Sequence, residues 1–249
     1  MTYCLAIKVN TGLVFASDSR TNAGVDYVST YSKMHVFDWK DDRTFVLLSA
    51  GSLATTQAVV NEINRELEES DVNLRTFHYL FDAANYIGEL SVRVQSKHKD
   101  TMMQSGFSSE ASFILGGQIK NVEPDIFLIY PQGNYVSSSI ETPYLQIGEN
   151  KYGKPILDRM IVQETSLEDA ARCALVSLDS TMRSNISVGP PVELLIYYKD
   201  SFNEGRYVNL KLASPYYKSL QKNWNEGIKR AFNRLPRFDW EQLSFDKKD

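Results

Sequence analysis

Three observations predict an α+β fold built in stacked layers. The candidate segments run strands, two helices, strands, two helices, strands, rather than strand and helix by turns. The strand runs are mostly apolar, so their sheets are expected to be covered by helices on the outer faces. The helical segments carry apolar stripes at 3.6-residue spacing. A chain of 249 residues with 43% hydrophobic side chains can bury a substantial core, as one large domain or two small ones.

The elements follow in order. Residues 2–9 form an apolar strand, Asn10-Thr11-Gly12 a turn, and residues 13–17 a returning strand. This hairpin carries Asp18 back toward the chain start. Asn22-Ala23-Gly24 reads as a loop. Strands are predicted at 28–36 and 44–48, joined by the charged turn 38–43. A helix over 53–69 has Val59, Val60, Ile63 and Leu67 on one face. A second, over 76–97, has the stripe Phe77, Leu80, Phe81, Ala84, Ile87, Leu90 and Val94. Short strands are expected at 111–116, 125–130, 135–138 and 144–147, with Gly133-Asn134 as a hairpin turn. Helices return at 151–160 and 167–182, the latter behind the capping-box-like Ser166-Leu167-Glu168-Asp169. A final hairpin joins 192–199 to 206–212 around Asn203-Glu204-Gly205. The tail, 215–249, is net basic and sets Leu220, Trp224, Ile228 and Phe232 on one helical stripe. Such a stripe packs either on its own domain or on another subunit. The expected domains are thus 1–213 and a helical extension, 214–249.

Composition excludes several classes. The net charge of −4 offers no general attraction for nucleic acid or anionic lipid. The longest apolar runs are strand-length, well short of the roughly 20 residues of a membrane helix. Two cysteines, Cys4 and Cys173, make no disulfide framework and fit a reduced, cytoplasmic location. His35, His78 and His98 have no metal-like spacing and read as structural or surface residues. No phosphate loop or nucleophile elbow is present, and no cofactor is expected.

The chemistry lies at the chain start. A threonine exposed by removal of Met1 carries a hydroxyl nucleophile and an α-amine base on one residue. That amine, with an ordinary pKa of about 7.7–8.0, is partly neutral near pH 7. Threonine is small enough for ordinary methionine removal, so no propeptide cleavage is required. Taken singly, Asp18 reads as a turn residue, Arg20 as a surface ion pair and Lys33 as a solvated strand residue. Cys4 reads as a buried strand thiol.

Taken together, Thr2, Asp18-Ser19-Arg20, Lys33 and Ser49-Ala50-Gly51 resemble the active-site framework of proteasome β-type peptidases, which are N-terminal-nucleophile hydrolases. The resemblance spans residues 2–212. Two stretches, 15–26 and 147–159, look more specifically like Anbu, the bacterial proteasome-related group with an extended C-terminus. The resemblance implies a four-layer αββα sandwich and threonine-dependent cleavage of peptide bonds. It implies Thr2 as nucleophile, Lys33 as the ammonium that favours its alkoxide-like form, and Asp18 as the partner of Lys33. Arg20 buttresses Asp18 through its planar donors, with Ser19 beside it. Gly51 N–H is the oxyanion donor, Asn22 and Gly51 bind substrate backbone, and Ser49 lines the first specificity pocket. It further implies a homo-oligomeric ring or helical assembly, a peptide or protein substrate, and association with ATP-grasp and transglutaminase-like proteins.

The chain departs from the β-subunit pattern in three places. Lys33 falls one residue early. Gly148-Glu149-Asn150 stands where those subunits carry Gly-Ser-Gly, so Glu149 replaces the serine that supports the amine. Ser184-Asn185-Ile186-Ser187-Val188-Gly189 matches the later Asp-x-x-Ser-Gly-Gly element with Ser184 for aspartate, while Ser187 is kept. A carboxylate at 149 would hold the amine as ammonium and weaken it as a base. Two alternatives therefore stay open beside a peptidase. One is a specialised amidase or transpeptidase with a dedicated substrate; the other is a non-catalytic assembly or binding protein.

Overall fold

The computed structural model describes residues 2–23 and 27–243. Met1, Gly24 of the expected loop and the tail charges beyond 243 lie outside them, as does the side chain of Asn22. The chain divides into two compact units, Met1–Leu212 and Ala213–Asp249.

The first unit holds two five-stranded antiparallel sheets. One is built from β1 (Tyr3–Val9), β2 (Gly12–Asp18), β10 (Tyr144–Gly148), β11 (Val192–Tyr198) and β12 (Arg206–Leu210), in the order β10-β1-β2-β11-β12. The other runs β5-β6-β7-β8-β9, from β5 (Met34–Trp39), β6 (Arg43–Gly51), β7 (Ala111–Ile119), β8 (Asp125–Ile129) and β9 (Tyr135–Ser137). Alternation along the strands assigns each side chain to a layer. Val46, Leu48 and Ile114 meet Cys4, Ala6, Phe15, Ile147 and Leu195 between the sheets. Phe45, Leu47, Phe113 and Leu115 point the other way. They pack under α1 (Leu53–Glu69) and α2 (Leu80–Gln104), against Val59, Ile63, Ala84 and Ile87. On the far face of the first sheet, α4 (Leu167–Ser184) lies over β1, β2 and β11, with α3 (Lys154–Met160) beside it. The result is the αββα sandwich, and its covered sheets explain why these strands are apolar on both faces.

Local chemistry sets the boundaries. Ser52 caps α1, its hydroxyl accepting from Thr55 N–H, and Ser166 caps α4 through Asp169 N–H at 3.1 Å. The second helix begins at Leu80 rather than at 76. The Asn73 side chain accepts from Arg75 N–H and donates to Ser70 C=O, and Thr76 Oγ1 donates to Asn73 C=O. These local bonds hold the chain in turns that compete with helix. The helix then continues past 97 to Gln104.

The predicted strand 28–36 is two strands. β4 (Tyr27–Thr30) pairs with β3 (Arg20–Ala23) in a separate two-stranded ribbon, whereas β5 joins the second sheet. The expected loop at Asn22-Ala23 is thus the end of β3. Between the strands, Tyr31 N–H donates to Ser19 C=O, and the Ser32 hydroxyl engages both the C=O and N–H of Met34. This break carries Lys33.

In the second unit, Ser214 caps α5 (Pro215–Phe232), which is followed by α6 (Asp239–Leu243). On the predicted stripe Leu220 and Trp224 are half-buried, whereas Ile228 and Phe232 are exposed, as are Leu235, Phe238 and Trp240.

Candidate active site

The β1–β2 hairpin sets the ends of both strands side by side. Tyr3 N–H donates to Asp18 Oδ1 at 3.0 Å, which ties the residue after Thr2 to the acid. Lys33 Nζ donates to the same Oδ1 at 2.6 Å and to Arg20 C=O at 2.6 Å. Oδ2 accepts from Gly189 N–H at 3.0 Å and Arg20 N–H at 3.2 Å. Asp18 is wholly buried and the Lys33 side chain is 6% exposed, so this is an interior ion pair and not a solvated lysine. Burial is the largest influence on the Asp18 carboxyl and pushes it up, while Lys33 and the amides pull against that. Every group named around its oxygens is a donor, an arrangement that satisfies a carboxylate and not an acid O–H.

Arg20 differs from expectation. Its guanidinium does not reach Asp18: Nη1 donates to Ile186 C=O at 2.6 Å, and only its main-chain amide bonds the acid. The side chain lies flat on the 186–189 loop, so close that a Cβ on Gly189 would stand 2.4 Å from the guanidinium. The arginine therefore steadies the loop that presents Gly189 N–H to Asp18.

Thr2 C=O accepts from Glu149 N–H at 2.7 Å. Gly148, at φ +83°, lies so close that a Cβ there would stand 1.9 Å from the Thr2 carbonyl oxygen. Only glycine fits. The Glu149 carboxylate accepts from Asn185 Nδ2 at 3.0 Å, and Asn185 Oδ1 accepts from Ser187 N–H at 2.9 Å. Glu149 is thus tied to the 184–189 segment, next to the Ser184 that stands for aspartate.

Thr2, Lys33, Ser49 and Gly51 line one cavity of about 310 Å³, together with Gly148 and Leu53. Gly51 has φ +111°, and a Cβ there would meet Glu110 C=O at 2.3 Å. Cys4 is fully buried, its thiol pushed up by desolvation and directed to Ser49 C=O. It is not a nucleophile. No group of three or more metal-ligating side chains occurs among the described residues.

Three participants escaped the sequence reading. His35 lines the cavity, as does Gln57 from the second turn of α1. Behind them lies Glu193, 3% exposed, which accepts from Ser17, Ser19, Ser32 and Tyr207 hydroxyls and from Lys33 N–H. The sequence did carry a signal for it: a lone acid inside the apolar run Val192-Glu193-Leu194-Leu195-Ile196.

The Proteasome subunit family model matches residues 2–197. The chain belongs to the proteasome subunit family. Within it, the similarity to Anbu structures is extensive. Anbu (ancestral beta-subunit) from Yersinia bercovieri is 44% identical, with a TM-score of 0.89, over 96% of this chain and 100% of that one. The helical assembly of the Anbu complex from Pseudomonas aeruginosa is 40% identical, with a TM-score of 0.90, over 95% and 98%. A proteasome subunit beta from Haloquadratum walsbyi is 25% identical over 201 residues, 80% of this chain and 74% of the relative. The chain is an Anbu-type proteasome relative with the N-terminal-nucleophile hydrolase fold. No helix among the described residues is long and apolar enough to cross a membrane.

Proposed function

We propose that the protein is a threonine-type amidohydrolase, cleaving peptide bonds with Thr2 after Met1 is removed. The observation that carries this reading is the grouping of Thr2, Lys33 and Gly51 on one cavity, with Lys33 held by buried Asp18 at 2.6 Å. Thr2 Oγ attacks the substrate carbonyl carbon while its proton passes, through a water, to the α-amine. The Lys33 ammonium stabilises the developing alkoxide. Gly51 N–H bonds the oxyanion of the tetrahedral intermediate, an interaction worth about 10²–10³ in rate. The amine returns the proton to the leaving nitrogen as the C–N bond breaks. Water then hydrolyses the Thr2 ester and restores the hydroxyl. Ser49 lines the substrate side-chain pocket, Asn22 binds substrate backbone, and Ser19 and Ser187 support the frame.

Self-assembly accompanies this function, an expectation supported by the helical assembly of the Pseudomonas aeruginosa Anbu complex. The domain limits 1–213 and 214–249 belong to the same reading, in which the extension contributes to subunit contacts. The proposal extends to a cytoplasmic location and to association with ATP-grasp and transglutaminase-like proteins.

One observation favours a second reading. Glu149, bonded to Asn185, puts a carboxylate where the β-subunit pattern has a serine beside the amine. An ammonium held there slows attack on ordinary peptides and suits a dedicated amidase or transpeptidase. Incubation with a mixed peptide library, with and without a high concentration of an amine acceptor, separates the two. Broad hydrolysis supports the peptidase. Products formed only by transfer to the amine, or from a single conjugate, support the second reading. No turnover of either kind, with an unreactive Thr2, refutes both.

A further inference from the structure

The cavity beside Thr2 has a chemical character of its own. It is built from the break at 32–35, the end of β6 and the start of α1. His35, Ser49 and Gln57 line it, and among the described residues none of the three makes a side-chain hydrogen bond. No acidic side chain lines it, while Lys33 and Arg20 do. A lysine or arginine side chain entering there finds no acidic partner on the lining. An apolar side chain strips water from the Ser49 hydroxyl and the His35 ring and returns no hydrogen bond, which is costly for each group left unmet.

The remaining choice is between an anionic and a neutral polar side chain. Lys33 is already paired with Asp18, and the Glu193 carboxylate sits behind the wall, bonded to Ser32 at 2.9 Å. Burial lowers the His35 pKa from its ordinary 6.5, so the ring is neutral near pH 7. Asp18 neutralises Lys33, and Arg20 directs its guanidinium to Ile186 C=O against the 186–189 loop, so both cations of the lining are already engaged when a carboxylate enters. A neutral imidazole, a hydroxyl and an amide each offer both donor and acceptor. A carboxamide is their complement.

We propose that this cavity selects substrates with an uncharged, hydrogen-bonding side chain, glutamine or asparagine in class, immediately before the bond cleaved. The assignment rests on Thr2 being the nucleophile that defines that bond.

Two measurements on the purified full-length protein test it. One is the rate of adduct formation with tripeptide epoxyketones ending in glutamine, norleucine, lysine or glutamate. The other is the affinity of the matching acetylated tripeptide acids, which needs no nucleophile. Glutamine is expected to lead norleucine, its near-isostere, by about tenfold or more in both, the factor that corresponds to about 1.4 kcal/mol. Ser49→Ala, and Gln57→Leu at an exposed position, bring that ratio toward one. Equal affinities, no binding by any peptide, or a lead by norleucine, lysine or glutamate overturns the proposal. Selective binding without any adduct upholds the pocket and removes Thr2 as nucleophile; adducts without selectivity do the reverse.

Discussion

Asp18→Ala is the substitution whose cost the structure sets most firmly. The Lys33 side chain is 6% exposed, and Asp18 is the only acid paired with its ammonium among the described residues. Without the carboxylate, Lys33 keeps the Arg20 carbonyl but becomes a buried, unpaired charge, and Tyr3 and Gly189 amides lose their acceptor. Breaking a buried ion pair from one side costs about 3–5 kcal/mol. At about 2–4 °C per kcal/mol for a domain of this size, Tm falls by roughly 6–20 °C. Lys33→Met is expected to cost less, because Asp18 keeps three amide donors. The double variant should recover part of the loss suffered by Asp18→Ala. Thermal unfolding at one fixed protein concentration, with urea titration of the same four proteins, supplies the comparison. An Asp18→Ala protein within 2 °C of wild type, or a double variant with strictly additive losses, would refute a coupled buried pair.

Other outcomes follow from the same geometry. Gly148→Ala forces a Cβ onto the Thr2 carbonyl at a left-handed φ, so it should suppress Thr2 labelling while circular dichroism still reports a folded protein; unimpaired labelling would contradict the close approach. His35 has a folded-state pKa depressed below 6.5 by burial, so the unfolded chain takes up its proton first as pH falls. Stability from this residue is full above about pH 6.5 and is lost below it through the folded-state pKa; His35→Gln should flatten that limb of Tm against pH, and an unchanged limb would exclude the residue. Deleting 215–249 should lower the sedimentation coefficient beyond the loss of mass, and an unchanged particle would remove the extension from assembly.

Much of this was legible from sequence because it is local. The 2–18 hairpin places Thr2 near Asp18 through a turn signal and two apolar runs, and the α1 stripe is continuous from Leu53 to Glu69. What escaped depends on contacts far along the chain. Val28, Thr30, Tyr31 and Val36 make 28–36 read as one strand, yet Ser19 and Glu193 draw residues 31–33 out of it and turn Lys33 inward. Arg20 could be assigned to Asp18 by proximity in sequence, but Ile186 C=O captures its guanidinium. His35 has no partner adjacent in sequence to mark it; its two-residue spacing from Lys33 is the available clue. The Glu149–Asn185 bond joins residues 36 apart, neither of which signals the other.

The central claim is that Thr2 is a working N-terminal nucleophile, and intact mass tests it most directly. The purified protein is weighed before and after incubation with an epoxyketone or β-lactone. The account predicts a mass lacking Met1, a single adduct mapped to Thr2, and no adduct in Thr2→Ala. A retained Met1, or a free Thr2 that never labels at any pH between 6 and 9, would contradict it.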